Sequence, residues 1–470
     1  MQDQPEKSPS QKTTLSRREF LGTSALAAAA FTIVPRHVLG GPGYVAPSDK
    51  LNIACVGVGG KGRSDIASCG TENIVALCDV DDEHIVETIK NAHADTGNAA
   101  YAEMLGRATR YRDFRVMLKT EPGIDAVTVS TPDHTHAVIA LAAMRAGKHV
   151  FVQKPLTHTI HEARLLAKTA KEMKLVTQMG NQGHASEEAR LINEWIAAGA
   201  IGDVTEVHCW TNRPVWPQGV KRPIEIPSVP STLAWDLWIG PAPFRPYHPA
   251  LSHFVWRGWC DFGTGALGDM GAHIFDHPYW ALNLGYPETV QASSTQFNGE
   301  SFPVASTVRY HFAARGKMPA VDLTWYDGGI MPKRPEELEE GRIMGDRDGG
   351  VLYVGTKGKL MHGCYGKSPR LIPEAKMKAF KFPPKTIARS PGIHEEWIAA
   401  IKSGNGAQTT SNFEYAAKLT ETMLLGNIAI RMAPKNTILR YDGEKMGFPN
   451  LPDADQYLTK EYRPGWSLEA

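Results

Sequence analysis

The stretch GALGDMGAHIFDH (265–277) is the densest set of polar side chains in the second half of the chain. Read as a helix, it sets Asp269 and His273 one turn apart on a single face, with Asp276 three residues beyond His273. A carboxylate one turn from an imidazole can fix its tautomer and stabilise the imidazolium, which suits a general base working near neutral pH. The same pair could instead brace a buried helix. Taking Asp269, His273, Asp276 and His277 as metal ligands is the weakest reading, because one helix cannot aim all four inward. No metal is expected. Lys154 in VQKPL (152–156) follows an apolar run and precedes a proline. At a strand end its ammonium would lower the pKa of a substrate hydroxyl; a solvated loop lysine is the alternative. Asn181, Gln182 and His184 follow the next apolar run, where they could read hydroxyl groups or simply form a turn.

A glycine motif says what faces these groups. Gly57, Gly59 and Gly62 stand at GxGxxG spacing behind the apolar run 51–58, with Gly60 inside the loop. Such glycines give a tight turn, close approach to a pyrophosphate, and close helix–strand packing. The helix that starts there directs free N–H groups and its positive end at the phosphates. A second apolar run, 74–78, delivers Asp79 to its carboxyl end. A carboxylate there accepts both ribose hydroxyls of NAD and repels the 2′-phosphate of NADP. Arg63 beside the loop would give that phosphate a partner, so NADP stays open. Lys154 then falls where it could touch both the nicotinamide ribose and the substrate.

The elements that must position these residues alternate. Asp82–Ala94 and 114–119 read as helices, and 125–130 as a strand ending at TPDHTH (131–136). Helix 135–146 stops at Gly147, and strand His149–Val152, helix 160–173 and strand 176–179 follow. Repeated βα units with apolar strands make a doubly wound parallel sheet covered on both faces, with ligands at the strands' carboxyl ends. Residues 50–180 are therefore expected to form an α/β Rossmann domain. Its rim carries Gly57–Gly62, Asp79, Thr131, Pro132, His134, His136, Lys154 and Asn181, and Thr131, Pro132 and His136 join the expected cofactor contacts.

Beyond helix 186–198 the pattern changes to strands in succession: Val204–Thr211, 289–297, Ser306–Phe312, 320–326, 350–355 and 359–363. Alternation in the first puts Val204, Glu206 and His208 on one face and Thr205, Val207 and Cys209 on the other. An α+β domain over 181–450 with a large, mainly antiparallel open sheet is expected, followed by a tail over 451–470. Helices 393–402 and 415–431 would cover one face, and 328–350, with its PEELEE run, reads as a long surface loop. Six of the eleven tryptophans fall between 210 and 259. Indole faces suit the C–H faces of sugars, and equally suit cores and interfaces.

A net charge of +1 gives no basic field, so nucleic acid is an unexpected partner. With 42% hydrophobic and 21% charged residues, the chain has the makings of large cores. Its six cysteines lack metal-like spacing, and Cys55 and Cys78 fall inside apolar runs. At the N-terminus, SRREFL (16–21) precedes a short apolar stretch, too short to cross a bilayer at ~20 residues. Paired arginines, a short apolar core and an Ala-rich end make residues 1–41 a twin-arginine export signal and linker, so the protein is expected to be periplasmic with no stable membrane span.

Assembled in this order, GVGGKG, TPDHTHAVIALAAMRAGKHVFVQKPL, GAIGDVTEVH, GALGDMGAHIFD and GTKGKL resemble the Gfo/Idh/MocA family, named for glucose–fructose oxidoreductase and inositol dehydrogenase. The resemblance covers about residues 50–435. It implies a nicotinamide cofactor on the Rossmann domain and an open-sheet domain that contributes to the substrate site and to a homodimer or homotetramer. It also implies that the lysine of an EKP motif, here Lys154, assists at the nicotinamide, and that an Asp–x3–His pair, here Asp269 and His273, carries proton transfer. The motif here reads QKP, with Gln153 in the glutamate's place. The expected activity is oxidation of a secondary hydroxyl of a sugar, glycoside or cyclitol. A redox-neutral glycoside hydrolase or epimerase, or a non-catalytic nucleotide- or sugar-binding protein, is the alternative.

Overall fold

The computed structural model describes residues 49–95 and 97–469. The expected export signal lies outside them. The apolar strand β1 (Asn52–Val56) pairs in parallel with β2 (Asn73–Cys78) on one side and β4 (Ala126–Val129) on the other. With β3 (Thr109–Tyr111), β5 (His149–Val152) and β6 (Thr177–Met179) they form a six-stranded sheet of order β3-β2-β1-β4-β5-β6. The order reverses between β1 and β4, which opens a crevice at the carboxyl ends.

The crossovers are α1 (Gly60–Ser68), α2 (Asp82–Ala94), α3 (Ala99–Arg107), α4 (Phe114–Thr120), α5 (His136–Arg145) and α6 (Ile160–Glu172). Side chains cap most of them: Asp81 caps α2, Asn98 α3, Asp113 α4, and Thr159 with Glu162 makes a capping box on α6. The α3–β3 pair was not anticipated. Only Ala102 and Leu105 of α3 are fully buried, and β3 is exposed to half-buried, so neither writes a strong apolar period.

Next come α7 (Glu187–Ala197), β7 (Val204–Thr211), α8 (Trp235–Ile239), α9 (Gly265–Ile274) and α10 (Asp276–Ala281). They are followed by β8 (Thr289–Ser294), β9 (Ser306–Phe312), β10 (Val321–Tyr326), β11 (Gly349–Gly355), β12 (Gly358–Gly363) and β13 (Arg370–Ile372). Then α11 (Glu374–Ala379), α12 (Ile393–Ser403), α13 (Phe413–Met432) and β14 (Leu439–Arg440) complete the order. The second sheet runs β13-β12-β11-β7-β10-β9-β8-β14 and is antiparallel except where β7 meets β10.

Two expectations about this half need correction. Strict alternation in β7 fails because Val204 pairs with Gly355 and Glu206 with Val354, leaving Thr205 as a bulge. Val204 and Val207 therefore both face the core, while Thr205 and Glu206 are exposed. Helix α12 does not cover the open sheet either. Its Ile393, Trp397 and Ala400 pack with Ile53, Cys55, Phe151 and Val176 against the Rossmann sheet. Helix α13 does join the open-sheet core, with Leu419, Met423 and Ile428 beside Leu267, Val308 and Tyr310. The 328–348 loop lies on the sheet, with Leu338 packed among Trp210, Leu352, Met361 and Ile372. Among the described residues no helix is long and apolar enough to cross a membrane.

Candidate active site

A cleft of about 500 Å³ runs along the carboxyl ends of β1, β2, β4 and β5. Its Rossmann wall holds Gly57, Gly59, Gly60, Asp79, Thr131, Pro132, Gln153 and Lys154. Gly57 has φ +80°, and a Cβ there would lie 2.7 Å from the Ser130 carbonyl group. Gly62 comes so close to the Gly57 carbonyl that no Cβ fits between them, so this glycine sets helix–strand packing. Gly60 has φ +48° and open space where a Cβ would be, which leaves a cradle at the helix start.

The N-terminus of α1 has no side-chain cap and no acid in its first turn. Its free N–H groups and positive end are left for an anion. Asp79 stands at the end of β2, with Oδ2 accepting the Val58 N–H at 2.8 Å and Oδ1 the Asp81 N–H at 2.9 Å. Uncapped helix, open cradle and a fixed carboxylate at the end of the neighbouring strand fit the pyrophosphate and adenosine ribose of NAD.

Other expected cofactor residues do different work. Arg63 faces Thr88 and Glu87, at 3.3 and 3.4 Å, and does not line the cleft. It offers no partner to a 2′-phosphate in this arrangement. His136 is buried, its ring nitrogens 2.9 Å from the Pro155 carbonyl and 2.8 Å from that of Thr131. It ties two rim loops together, and burial lowers its pKa. His134 is likewise buried, between the carbonyls of Phe262 and Trp238, and burial pushes it down to about 3.

At the nicotinamide end Lys154 Nζ donates to Asp269 Oδ1 at 2.8 Å and to the Asp269 carbonyl at 2.9 Å. Arg257 Nε approaches the same carboxylate oxygen at 3.3 Å. Burial alone would push the Asp269 carboxyl up, but Lys154 and Arg257 outweigh it and hold it down at about 2. The expected Asp269–His273 pairing thus gives way: the carboxylate is committed to two cations, and no hydrogen bond joins it to His273 among the described residues. His273 lies one helical turn on, buried, with Nδ1 unpartnered and its ring 4.6 Å from that of Tyr365. Burial, then Lys154, keeps it neutral well below the usual imidazole range. A neutral imidazole keeps one ring nitrogen as a proton acceptor, which is what a general base requires.

The second tier of expected residues divides. His184 Nδ1 lies 2.8 Å from Asp276 Oδ1, which also accepts the Tyr415 hydroxyl at 2.7 Å, and the His184 ring stacks on Trp280. Among the described residues, Asn181 and His277 are buried with no protein partner for their side-chain polar atoms, whereas Gln182 is exposed. Of the tryptophan cluster, Trp235, Trp238, Trp256 and Trp259 form a small core with Leu233, Ile239 and Phe262. Trp238 and Trp256 also line the cleft.

Several lining residues were missed because they lie far away in sequence. His253, Phe254 and Arg257 from the second half, and Trp466 from the tail, close over the Rossmann wall. Asp133 is also in the wall, receiving the Thr264 hydroxyl at 2.7 Å, and burial pushes it up to about 7. Its TPDHTH position was visible, but the burial that perturbs it was not.

A dinucleotide cleft on a doubly wound sheet, with a lysine–carboxylate pair at its inner end and a neutral imidazole buried one helical turn behind the carboxylate, defines the nicotinamide-dependent oxidoreductase class. The chain belongs to the Gfo/Idh/MocA family: residues 51–181 match the oxidoreductase family's NAD-binding Rossmann fold and 199–468 its C-terminal alpha/beta domain. A glycosyl hydrolase family 109 protein of Shewanella pealeana is 30% identical over 208 residues, 40% of this chain and 44% of that protein. A levoglucosan dehydrogenase of Pseudarthrobacter phenanthrenivorans is 27% identical over 183 residues, 38% of each chain. The matches thus span less than half the length of those relatives. In fold, the chain is similar to the WlbA dehydrogenase of Bordetella pertussis, solved with NADH and UDP-GlcNAcA, at TM-score 0.53 and 17% identity over 84% of this chain and 99% of that one.

Proposed function

We propose that this protein oxidises a secondary hydroxyl of a sugar, glycoside or cyclitol, using NAD held in the cleft. The observation that carries this reading is the 2.8 Å contact between Lys154 and Asp269, which joins the end of β5 to α9 at the inner end of the cofactor cleft. When bound, NAD supplies a hydride acceptor. Lys154 stabilises the alkoxide that forms as the hydroxyl loses its proton, and His273, held neutral by burial, takes that proton. Asp269 aims Lys154, accepting its ammonium at both the side chain and the carbonyl, rather than orienting His273.

A redox-neutral course, in which the substrate takes the hydride back after its own chemistry, is the second reading. The glycosyl hydrolase name of the Shewanella relative favours it, and so does a cleft roofed by Phe254, Trp256 and Trp466. Export through the twin-arginine route, suggested by SRREFL (16–21), would carry the folded protein with its cofactor to the periplasm. NAD would then be loaded first and retained, in a chain acting as a homodimer or homotetramer. Purification without added nucleotide, then denaturation and mass assay of the supernatant, tests retention: near-stoichiometric NAD or NADH supports it, and an empty protein overturns it. A sugar and glycoside panel read by nicotinamide absorbance and product mass separates net oxidation from redox-neutral turnover. Neither signal with any member of the panel would overturn both readings.

A further inference from the structure

Away from the hydride-transfer groups, a second cluster joins the two halves of the chain. Asp81 at the N-cap of α2, His84 in that helix's first turn, and His253 at the start of the turn His253–Gly258 each offer a ligand atom, all within 4.8 Å of one another. All three line the cleft beside Asp79. Asp81 divides its oxygens: Oδ1 accepts the Glu83 N–H at 3.1 Å and caps the helix, while Oδ2 faces His253 Nε2 at 3.4 Å. The His84 and His253 rings meet edge to face with centroids 4.8 Å apart. His253 holds φ +53°, a left-handed conformation that a non-glycine residue keeps only where its surroundings fix it.

We propose that Asp81, His84 and His253 bind one divalent transition-metal cation of zinc's class, which staples the His253 turn over the ribose end of the cofactor cleft. Two imidazole nitrogens and one carboxylate oxygen are a borderline donor set that suits zinc, cobalt or nickel and not calcium or magnesium. Asp81 and His84 come from one rigid helical turn, so their spacing is set by α2. His253 is exposed, and turning its ring closes the remaining distance to bonds of ~2.0 Å. A helix N-terminus is an unfavourable place for a cation, but Asp79, Asp81 and Glu83 bring three carboxylates to this turn, while Asp82 is committed to Arg112. Asp79 keeps its bonds to the Val58 and Asp81 N–H groups, and its Oδ1 lies 3.4 Å from His84 Nδ1, a carboxylate that orients the ligand imidazole. The turn that His253 begins also carries Phe254, Trp256 and Arg257 of the cleft wall, so fixing it impedes cofactor exit.

The full chain, stripped of nucleotide, should take up one equivalent of zinc chloride in a calorimetric titration. His253→Ala and His84→Ala should each weaken that binding at least tenfold. Asp81→Asn, which keeps the capping oxygen and removes the charge, should do the same. In a second measurement the protein is loaded with NADH and chased with NAD while fluorescence is followed. Zinc should slow NADH release at least fivefold in the parent chain and leave His253→Ala unaffected. Zinc binding that survives all three substitutions overturns the site. Zinc that binds there but leaves release unchanged, or expels NADH, overturns the stapling role.

Discussion

Gln153 Nε2 lies 2.9 Å from Asp65 Oδ2 and 3.1 Å from Asp65 Oδ1, so the glutamine of QKP is tied to a carboxylate on α1 and not to the adjacent lysine's ammonium. Asp65 is fully buried and also receives Lys61 Nζ at 2.7 Å, the Ser130 hydroxyl at 2.8 Å and His394 Nε2 at 3.2 Å. Burial alone would push its carboxyl up, but the bonds from His394 and Lys61 outweigh that and hold it below its ordinary value. A glutamate in place of Gln153 would bring a second negative charge against Asp65.

Restoring the glutamate should therefore do harm. Gln153→Glu sets two buried carboxylates at hydrogen-bond distance, and we expect it to cost about 2–4 kcal/mol of stability, in line with unpaired buried charge. The double variant Gln153→Glu/Asp65→Asn should regain most of that loss. Urea unfolding of the four chains closes the cycle, and additive losses would show that the two residues do not communicate.

His273→Ala and Lys154→Ala should each lower the chemical step by roughly 10²–10⁴, the range for general acid–base groups. NADH titration should give nearly the same affinity in both, since neither residue holds the pyrophosphate or the adenosine ribose. Normal turnover by His273→Ala would move the base elsewhere. Asp133, raised to about 7 in the cleft wall, would then be the group to replace.

Asp79→Ala should narrow or reverse a preference for NAD over NADP. It removes the carboxylate that repels a 2′-phosphate and also frees the Val58 N–H. Competition binding of the two nucleotides measures the ratio. Tighter NADP binding by the parent chain would contradict the role given to Asp79.

Stability should fall as the pH drops below ~6.5. Burial lowers the pKa of His134 to about 3 and of His277 to about 4, and also lowers those of His136, His158, His273 and His362. The unfolded chain takes up protons that these native imidazoles refuse, so each group costs about 1.4 kcal/mol per pH unit between ~6.5 and its folded value. Asp133 and Asp327, raised by burial to about 7 and about 6, act in the opposite sense over part of that window. The imidazoles outnumber them. Calorimetric midpoints should decline from pH 6.5 to 5; a flat profile would contradict the neutral buried histidines.

Local spacing made much of this legible. The glycines of 57–62, the acid at a strand end, Lys154 and the Asp269/His273 turn are marked by neighbours within a few residues. Helices with regular apolar periods, such as α2 and α6, were bounded closely. Long-range partnerships were not legible: Lys154 with Asp269, Asp65 with Gln153 and His394, and Trp466 over the cleft join residues tens to hundreds of positions apart. Because the Asp–x3–His spacing is helical, it shows that two side chains share a face, not which neighbour the carboxylate prefers. Competition from two cations decided that.

Helix α12 gives the cofactor domain a dependence that its contiguous sequence hides. Trp397 and Ile393 complete the core over Cys55 and Phe151, and His394 reaches the carboxylate beneath the glycine loop. A fragment cut after residue 181 would lose that cover and one of Asp65's hydrogen-bond partners together. The nucleotide module of this protein is therefore not a transplantable cassette: grafted onto another partner domain, it would need a surrogate for a helix encoded more than two hundred residues downstream.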